Sequence, residues 1–176
     1  MLGISFLNEI IDQPDITTGS VLNRLRDKII ESLHQSKRSK SRDGMDIALV
    51  SIDFQSRILE YSGAHNPLIL IRNNELYRVK GDRMPIGYSR KKDQGFTTHE
   101  VDIRKDDLFY TFSDGFSDQF GGENKRKFTT GRFQNLLYEI HSLSMINQKK
   151  ALADLFDKWR GNAAQMDDLL VIGLKI

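Results

Sequence analysis

At Asp46 the hydrophobic period of this chain changes, and that change limits the folds open to it. Upstream, Val21, Leu22, Leu25, Ile29, Ile30 and Leu33 recur at the spacing of one buried helix face. Thr17 or Thr18 can cap that helix, which runs to about Gln35, and an opening helix from Met1 to Ile11 precedes it across the turn Gln13-Pro14-Asp15. Downstream, Ile47 to Asp53, Ile58 to Ser62, Pro67 to Ile71 and Glu75 to Val79 are short segments rich in Ile, Leu and Val, parted by turn residues. Phe54-Gln55-Ser56-Arg57 and Arg72-Asn73-Asn74 each suit a tight hairpin, which favours antiparallel pairing. Gly95 to Asp102 and Asp107 to Phe112 add two strands joined by the polar turn Ile103-Arg104-Lys105-Asp106. Helices return at about Thr130 to Ser142 and Gln148 to Arg160, and a last strand, Asp168 to Lys175, closes the chain. This order describes an α+β fold in which antiparallel strands pack against flanking helices.

With 176 residues, 39% of them hydrophobic and 28% charged, the chain fits a single globular domain spanning 1–176. Its net charge is only +2 and its basic residues cluster locally, so no nucleic-acid partner is expected. The main cluster, Lys37, Arg38, Lys40 and Arg42, is interleaved with serines and reads as a solvated loop. Cysteine is absent, which excludes disulfides, thiolate nucleophiles and Cys-ligated zinc and suits a cytoplasmic protein. No apolar run approaches the roughly 20 residues that cross a bilayer, so no direct membrane contact is expected from this segment. The chain opens in a helical pattern with neither leader nor N-cap, and reads as a domain truncated at its N-terminus.

Chemistry points to two acidic sites far apart in sequence. Asp114 follows the apolar run Leu108 to Phe112 and precedes Gly115, and Asp167-Asp168 opens the last strand. Carboxylates at strand ends can converge on a hard cation such as Mg2+ or Mn2+. Asp-Gly after a strand is also an ordinary turn, whereas adjacent acids repel unless one is solvated or a cation is near. Asp43-Gly44-Met45-Asp46 is a further candidate, with Asp46 opening an apolar strand and Asp43 reading as loop. In Ser62-Gly63-Ala64-His65-Asn66-Pro67, His65 could act as acid, base or phosphate contact, or hold the bend before Pro67; the second role is favoured. Arg83, beside the constrained Pro85-Ile86-Gly87 turn, could grip phosphate or pair with an acid such as Asp82.

Taken together, Asp-Gly-Met-Asp-Ile-Ala-Leu-Val (43 to 50), Tyr-Ser-Gly-Ala-His-Asn-Pro-Leu (61 to 68), Met-Pro-Ile-Gly (84 to 87), Phe-Ser-Asp-Gly-Phe-Ser-Asp (112 to 118) and Asp-Asp-Leu-Leu-Val (167 to 171) resemble the blocks of PPM-type metal-dependent serine/threonine protein phosphatases, in their bacterial SpoIIE-like branch. The resemblance runs from about Gly3 to the end. It implies two packed antiparallel sheets flanked by helices, here lacking the first strands. It also implies a pair of Mn2+ or Mg2+ ions activating a water that attacks phosphoserine or phosphothreonine, with no protein nucleophile. Asp114 and Asp167 then fall on the metal-ligand positions, with Gly115, Asp168 and Asp46 supporting them. The family's upstream Asp and Gly-His-Gly-like block, which supplies a bridging aspartate, has no counterpart here. The fragment is therefore expected to hold metal weakly or not at all and to be inactive, while a complete parent is active.

By the same resemblance, the substrate is a phosphorylated regulatory protein of the anti-anti-sigma type, and the chain is the output domain of a bacterial signalling protein. The alternative is a catalytically inert phosphatase-fold module that binds within partner switching. A nucleotide-binding regulator lacks any glycine-rich phosphate cradle. Arg83, Lys125 and Arg126 are candidate phosphate or substrate contacts, the last two on the basic loop Gly121 to Phe128 beyond the Asp114 strand. Missing strands would leave sheet edges for a second copy to cover, which makes a homodimer an expectation.

Overall fold

A computed structural model of the chain describes residues 2–14, 16–36, 44–91 and 93–176. The basic cluster Lys37, Arg38, Lys40 and Arg42, together with Asp43 and the Asp15 end of the first turn, lies outside the described residues. The chain divides into two compact units, Met1–Leu68 with Val79–Arg104, and Ile69–Arg78 with Lys105–Ile176.

The first unit holds helices α1 (Leu2–Ile11) and α2 (Thr18–Ser32) and a three-stranded sheet of β1 (Ile47–Asp53), β2 (Ile58–Ala64) and β5 (His99–Asp102), in the order β1-β2-β5. Thr17 caps α2, its hydroxyl accepting from the Ser20 amide at 3.3 Å. Val21, Leu22, Leu25 and Ile29 are buried as their spacing predicts, and with Ile10, Ala64, Met84, Ile86 and Phe96 they form this unit's core. Leu33 departs from the expectation: it falls past the last helical turn and is 37% exposed. The hairpin β1–β2 pairs antiparallel from Ile47↔Ala64 to Asp53↔Ile58. The Ser56 hydroxyl, and then the Gln55 and Ser56 amides, hold the turn's Asp53 carboxyl below its ordinary value.

The second unit carries β3 (Leu68–Arg72), β4 (Glu75–Val79), β6 (Leu108–Phe112) and β9 (Val171–Lys175) in the order β4-β3-β6-β9. The β3–β4 turn puts Asn73 and Asn74 at φ +51° and +60°, a left-handed pair that asparagine tolerates best among residues with a side chain. Beside the sheet chain run α3 (Gly115–Asp118), the two-stranded hairpin of β7 (Phe120–Gly121) and β8 (Arg126–Lys127), α4 (Thr130–Ile140) and α5 (Met145–Arg160). The core of this unit centres on Phe112, Phe116, Phe133 and Phe156 with Leu136, Leu137 and Ile140. Arg72 grips buried Asp107 through two bonds, Nε to Oδ1 at 2.8 Å and Nη2 to Oδ2 at 2.7 Å.

The pairings β1–β2, β2–β5, β6–β9 and β7–β8 are all antiparallel and the architecture is α+β, as the sequence predicts. The polar turn at 103–106 nevertheless makes no hairpin, because its two strands have different partners. Ile103 donates its amide to Arg57 O at 2.9 Å, prolonging the β5 alignment along β2, whereas Asp106 and Asp107 exchange bonds of 3.0 Å with Ile176 at the chain end. Strand β5 starts at His99, four positions after the expected Gly95, and α5 starts earlier than predicted because Ser144 caps it.

Candidate functional site

Strand β6 is buried except at Thr111, which suits a strand flanked by β3 and β9 in its sheet. The chain leaves it at Ser113 and turns at once into α3, an element too short to show a period in sequence. Asp114 stands at the N-cap with φ −74° and ψ −9°, and its side chain makes no capping bond. Its carbonyl accepts the Asp118 amide at 2.8 Å and the Ser117 hydroxyl at 3.0 Å. Phe116, only 1% exposed, packs against Phe128, Phe133 and Phe156 with ring centroids 4.6 to 5.2 Å apart. That anchor fixes the turn while the Asp114 carboxylate faces water.

Three groups tie the Asp167-Asp168 segment to this turn. The Ser113 hydroxyl donates to Asp168 O at 2.8 Å and accepts the Leu170 amide at 3.0 Å, and the Ser113 amide donates to Leu170 O at 3.0 Å. A hydroxyl thus replaces a carbonyl in the β6–β9 ladder, and β9 proper starts at Val171 where the sequence suggested Asp168. Gly115 lies directly beneath: a Cβ there would overlap the Asp168 carbonyl, 2.9 Å from its carbon. Fully buried Gln119 accepts the Met166 amide at 3.2 Å through Oε1, and its Nε2 donates to Ala164 O at 2.9 Å and Phe120 O at 3.0 Å.

Asp114, Asp167 and Asp168 are all exposed, and Asp167 Oδ1 accepts the Asp168 amide at 2.7 Å. Exposed oxygens on two segments held edge to edge fit a hydrated hard cation in kind, since Mg2+ and Mn2+ favour carboxylates, carbonyls and water. In number they fall short. Among the described residues no group of three or more His, Asp or Glu side chains is placed to hold a metal ion.

The remaining predicted residues are distributed over both units. Asp46 is exposed just before β1, and Arg83 is exposed between the bridges Ala64↔Asp82 and Met45↔Ile86; both belong to the first unit. Lys125 and Arg126 lie in the second unit on the β7–β8 hairpin, with Lys125 at φ +47° in its turn. His65 is at φ +62° and donates its amide to Asp82 O at 2.9 Å. Around that bend the Tyr61 hydroxyl donates to Asn66 O, and a Cβ on Gly81 would stand 2.8 Å from that same oxygen, so this segment is closely packed framework. Ser113 and Gln119 were not predicted. Ser113 falls inside a recognised block but carries no sign of its bonding, and a lone glutamine carries no sequence signal at all.

Solved structures share this fold. The SiaA-PP2C domain of Pseudomonas aeruginosa is 25% identical over 100% of this chain and 68% of its own, with a TM-score of 0.88. The PP2C phosphatase domain of the cell fate determinant SpoIIE from Bacillus subtilis, solved with part of its regulatory domain, is 16% identical over 99% of this chain and 48% of its own, with a TM-score of 0.72; that protein's phosphatase domain was also crystallised after presoaking with Mn. RsbX in complex with magnesium is 14% identical over 97% of this chain and 71% of its own, at a TM-score of 0.62. A search of curated proteins found no match. The fold is that of PP2C-type serine/threonine phosphatase domains. The model of the Stage II sporulation protein E (SpoIIE) family matches residues 1–176, and the chain belongs to that family.

Proposed function

We propose that this chain is a phosphatase output domain of a bacterial cytoplasmic signalling protein, hydrolysing phosphoserine or phosphothreonine in a regulatory protein of the anti-anti-sigma type. The observation that carries the reading is the triple tie of Ser113, Gly115 and Gln119 to the Asp167-Asp168 segment, which keeps the Asp114 turn beside it. Asp114 and Asp167 are the residues to hold Mn2+ or Mg2+, with Gly115 and Asp168 keeping the two segments in register. Bound divalent ions supply an acidified water and offset charge on the phosphoryl oxygens, so no side-chain nucleophile is needed. Arg83, Lys125 and Arg126 contact the phosphate or the protein that bears it. The family, with the manganese and magnesium reported for its solved relatives, supports the chemistry.

Because the described residues gather fewer than three acidic donors, the chain alone binds these ions weakly. The expected Kd for Mn2+ is on the order of 10⁻⁴ to 10⁻³ M, with little turnover. Calorimetric titration with Mn2+, run beside hydrolysis of a phosphoserine peptide, tests this. Asp114→Asn and Asp167→Asn should each abolish the Mn2+ isotherm. An isotherm unchanged in both variants would sink the metal assignment, and brisk Mn2+-dependent turnover by the chain alone would refute the expected weakness. The shortage of donors also favours the second reading, an inert phosphatase-fold binding module; binding of a phosphoprotein without hydrolysis, even when further carboxylate ligands are supplied by a longer chain, would select it. The open edge of β9 further suits a homodimer.

A further inference from the structure

A groove of about 800 Å³ opens in the second unit between the β7–β8 hairpin and the end of α5. Its apolar wall is Phe120, 39% exposed, with Leu155 and Trp159. Its rim carries Lys125, Lys158 and Arg160 against the carboxylate of Glu123. Arg160 gives one Nη2 bond of 3.1 Å to Asp157, while its Nε is buried with no hydrogen-bond partner among the described residues.

Two features set this groove apart from incidental surface relief. Lys158 and Arg160 could serve only to complement the C-terminal dipole of α5. That account does not reach Lys125, which comes from a different element. The second feature is the glycine pair that lets the hairpin pack directly against the half-buried tryptophan, whose ring also carries the Arg132 guanidinium 5.2 Å from its centroid. A Cβ on Gly121 or Gly122 would come within 2.8 Å of Trp159 ring carbons, so any side chain on that stretch would collide with the ring. The ring itself is fixed: its Nε1 donates to Gln119 O at 3.0 Å, the Gly122 amide donates to Trp159 O at 2.8 Å, and Phe128 meets it edge-on at 5.2 Å. A rigid aromatic wall with cations on its rim matches an apolar side chain flanked by acids.

We propose that this groove docks an acidic segment of the protein substrate, with one apolar side chain against Trp159 and Phe120 and carboxylates on Lys125, Lys158 and Arg160. Assigning the segment to the substrate rests on the phosphatase reading; the binding chemistry does not. Gln119 joins the two regions, because its backbone carbonyl holds the Trp159 ring and its side chain holds the loop before Asp167. The docked protein is therefore tethered on the same framework that carries the acidic pair.

Trp159 is the only tryptophan in the chain, so its emission reports on this groove alone. The probe is a short peptide of glutamates around a central phenylalanine, titrated into the 176-residue chain at low salt. A saturable change in emission is expected, weakening as salt is added. Lys158→Glu and the double variant Lys158→Glu/Arg160→Glu should weaken binding, on the order of tenfold for each reversed charge. A control peptide with glutamine in place of glutamate should bind about tenfold or more weakly. Circular dichroism confirms that each variant is folded, and Lys158→Gln, at an exposed site, provides a milder second test. No saturable response from the folded chain, or equal binding by the glutamine peptide or by Lys158→Glu, would overturn the docking assignment. Charge-dependent binding with no hydrolysis of any phosphopeptide by a metal-replete longer chain would leave docking standing and remove only the phosphatase reading.

Discussion

Gln119 shows how much of this site rests on residues that do no chemistry. Its side chain is fully buried and makes three hydrogen bonds, Oε1 accepting from Met166 and Nε2 donating to Phe120 and Ala164. Replacing it with leucine removes the partner of two carbonyls and one amide in part-buried backbone. Gln119→Leu is expected to cost about 2 to 4 kcal/mol in urea unfolding and to weaken Mn2+ binding by loosening the loop before Asp167. Stability within about 0.5 kcal/mol of the parent would show that the clamp is dispensable. Gly115→Ala acts through the other contact: its Cβ would push the Asp168 carbonyl away, a clash with backbone that no rotamer relieves. Its expected cost is about 1 to 3 kcal/mol, read by the same melt. Asp114 and Asp167 could be singled out in sequence because acids at the ends of apolar runs stand out. Gln119 could not, because its value lies wholly in partners that folding delivers.

Among the elements, α5 is held to the sheet by a polar contact inside an apolar core. Tyr110 on β6 donates its hydroxyl to Gln148 Oε1 at 2.7 Å, and Gln148 Nε2 donates to His141 O at 3.1 Å and Leu143 O at 3.0 Å. One glutamine thereby joins β6, α5 and the turn after α4. Burial, only partly offset by the Gln148 bond, pushes the Tyr110 hydroxyl up to about 12 from its ordinary 10.0. Ionisation is thus harder in the folded state, so this contribution to stability is complete below about pH 10 and is lost as pH climbs towards 12. Tyr110→Phe should lose about 1 kcal/mol near neutrality and flatten the alkaline fall in thermal midpoint; an unchanged alkaline slope would show that other groups govern it. Helix periodicity located α4 and α5 in sequence, since Phe133, Leu136, Leu137, Ile140 and Phe156 all reach the core. The bounds of β9 were less legible because the Ser113 hydroxyl takes over the ladder at its start.

For the molecule as a whole, β9 ends the four-stranded order, and Ile172 and Leu170 nearby are 55% and 56% exposed. An apolar edge strand is a template for another chain. Sedimentation equilibrium should find concentration-dependent dimers that Ile172→Lys returns to monomer; a monomer at every concentration removes the homodimer. Local physics was enough to determine the α+β class, the two hairpins, a cap at Thr17 or Thr18 and the candidacy of Asp114 and Asp167, because periodicity, turn chemistry and strand-end acids act between near neighbours in the chain. Only tertiary structure decided that the turn at 103–106 separates two sheets, that Asp114 opens a helix of one turn, and that a serine and a glutamine bind it to a loop some fifty residues away. Those outcomes depend on which distant backbone groups meet, and no spacing within a single segment encodes that meeting.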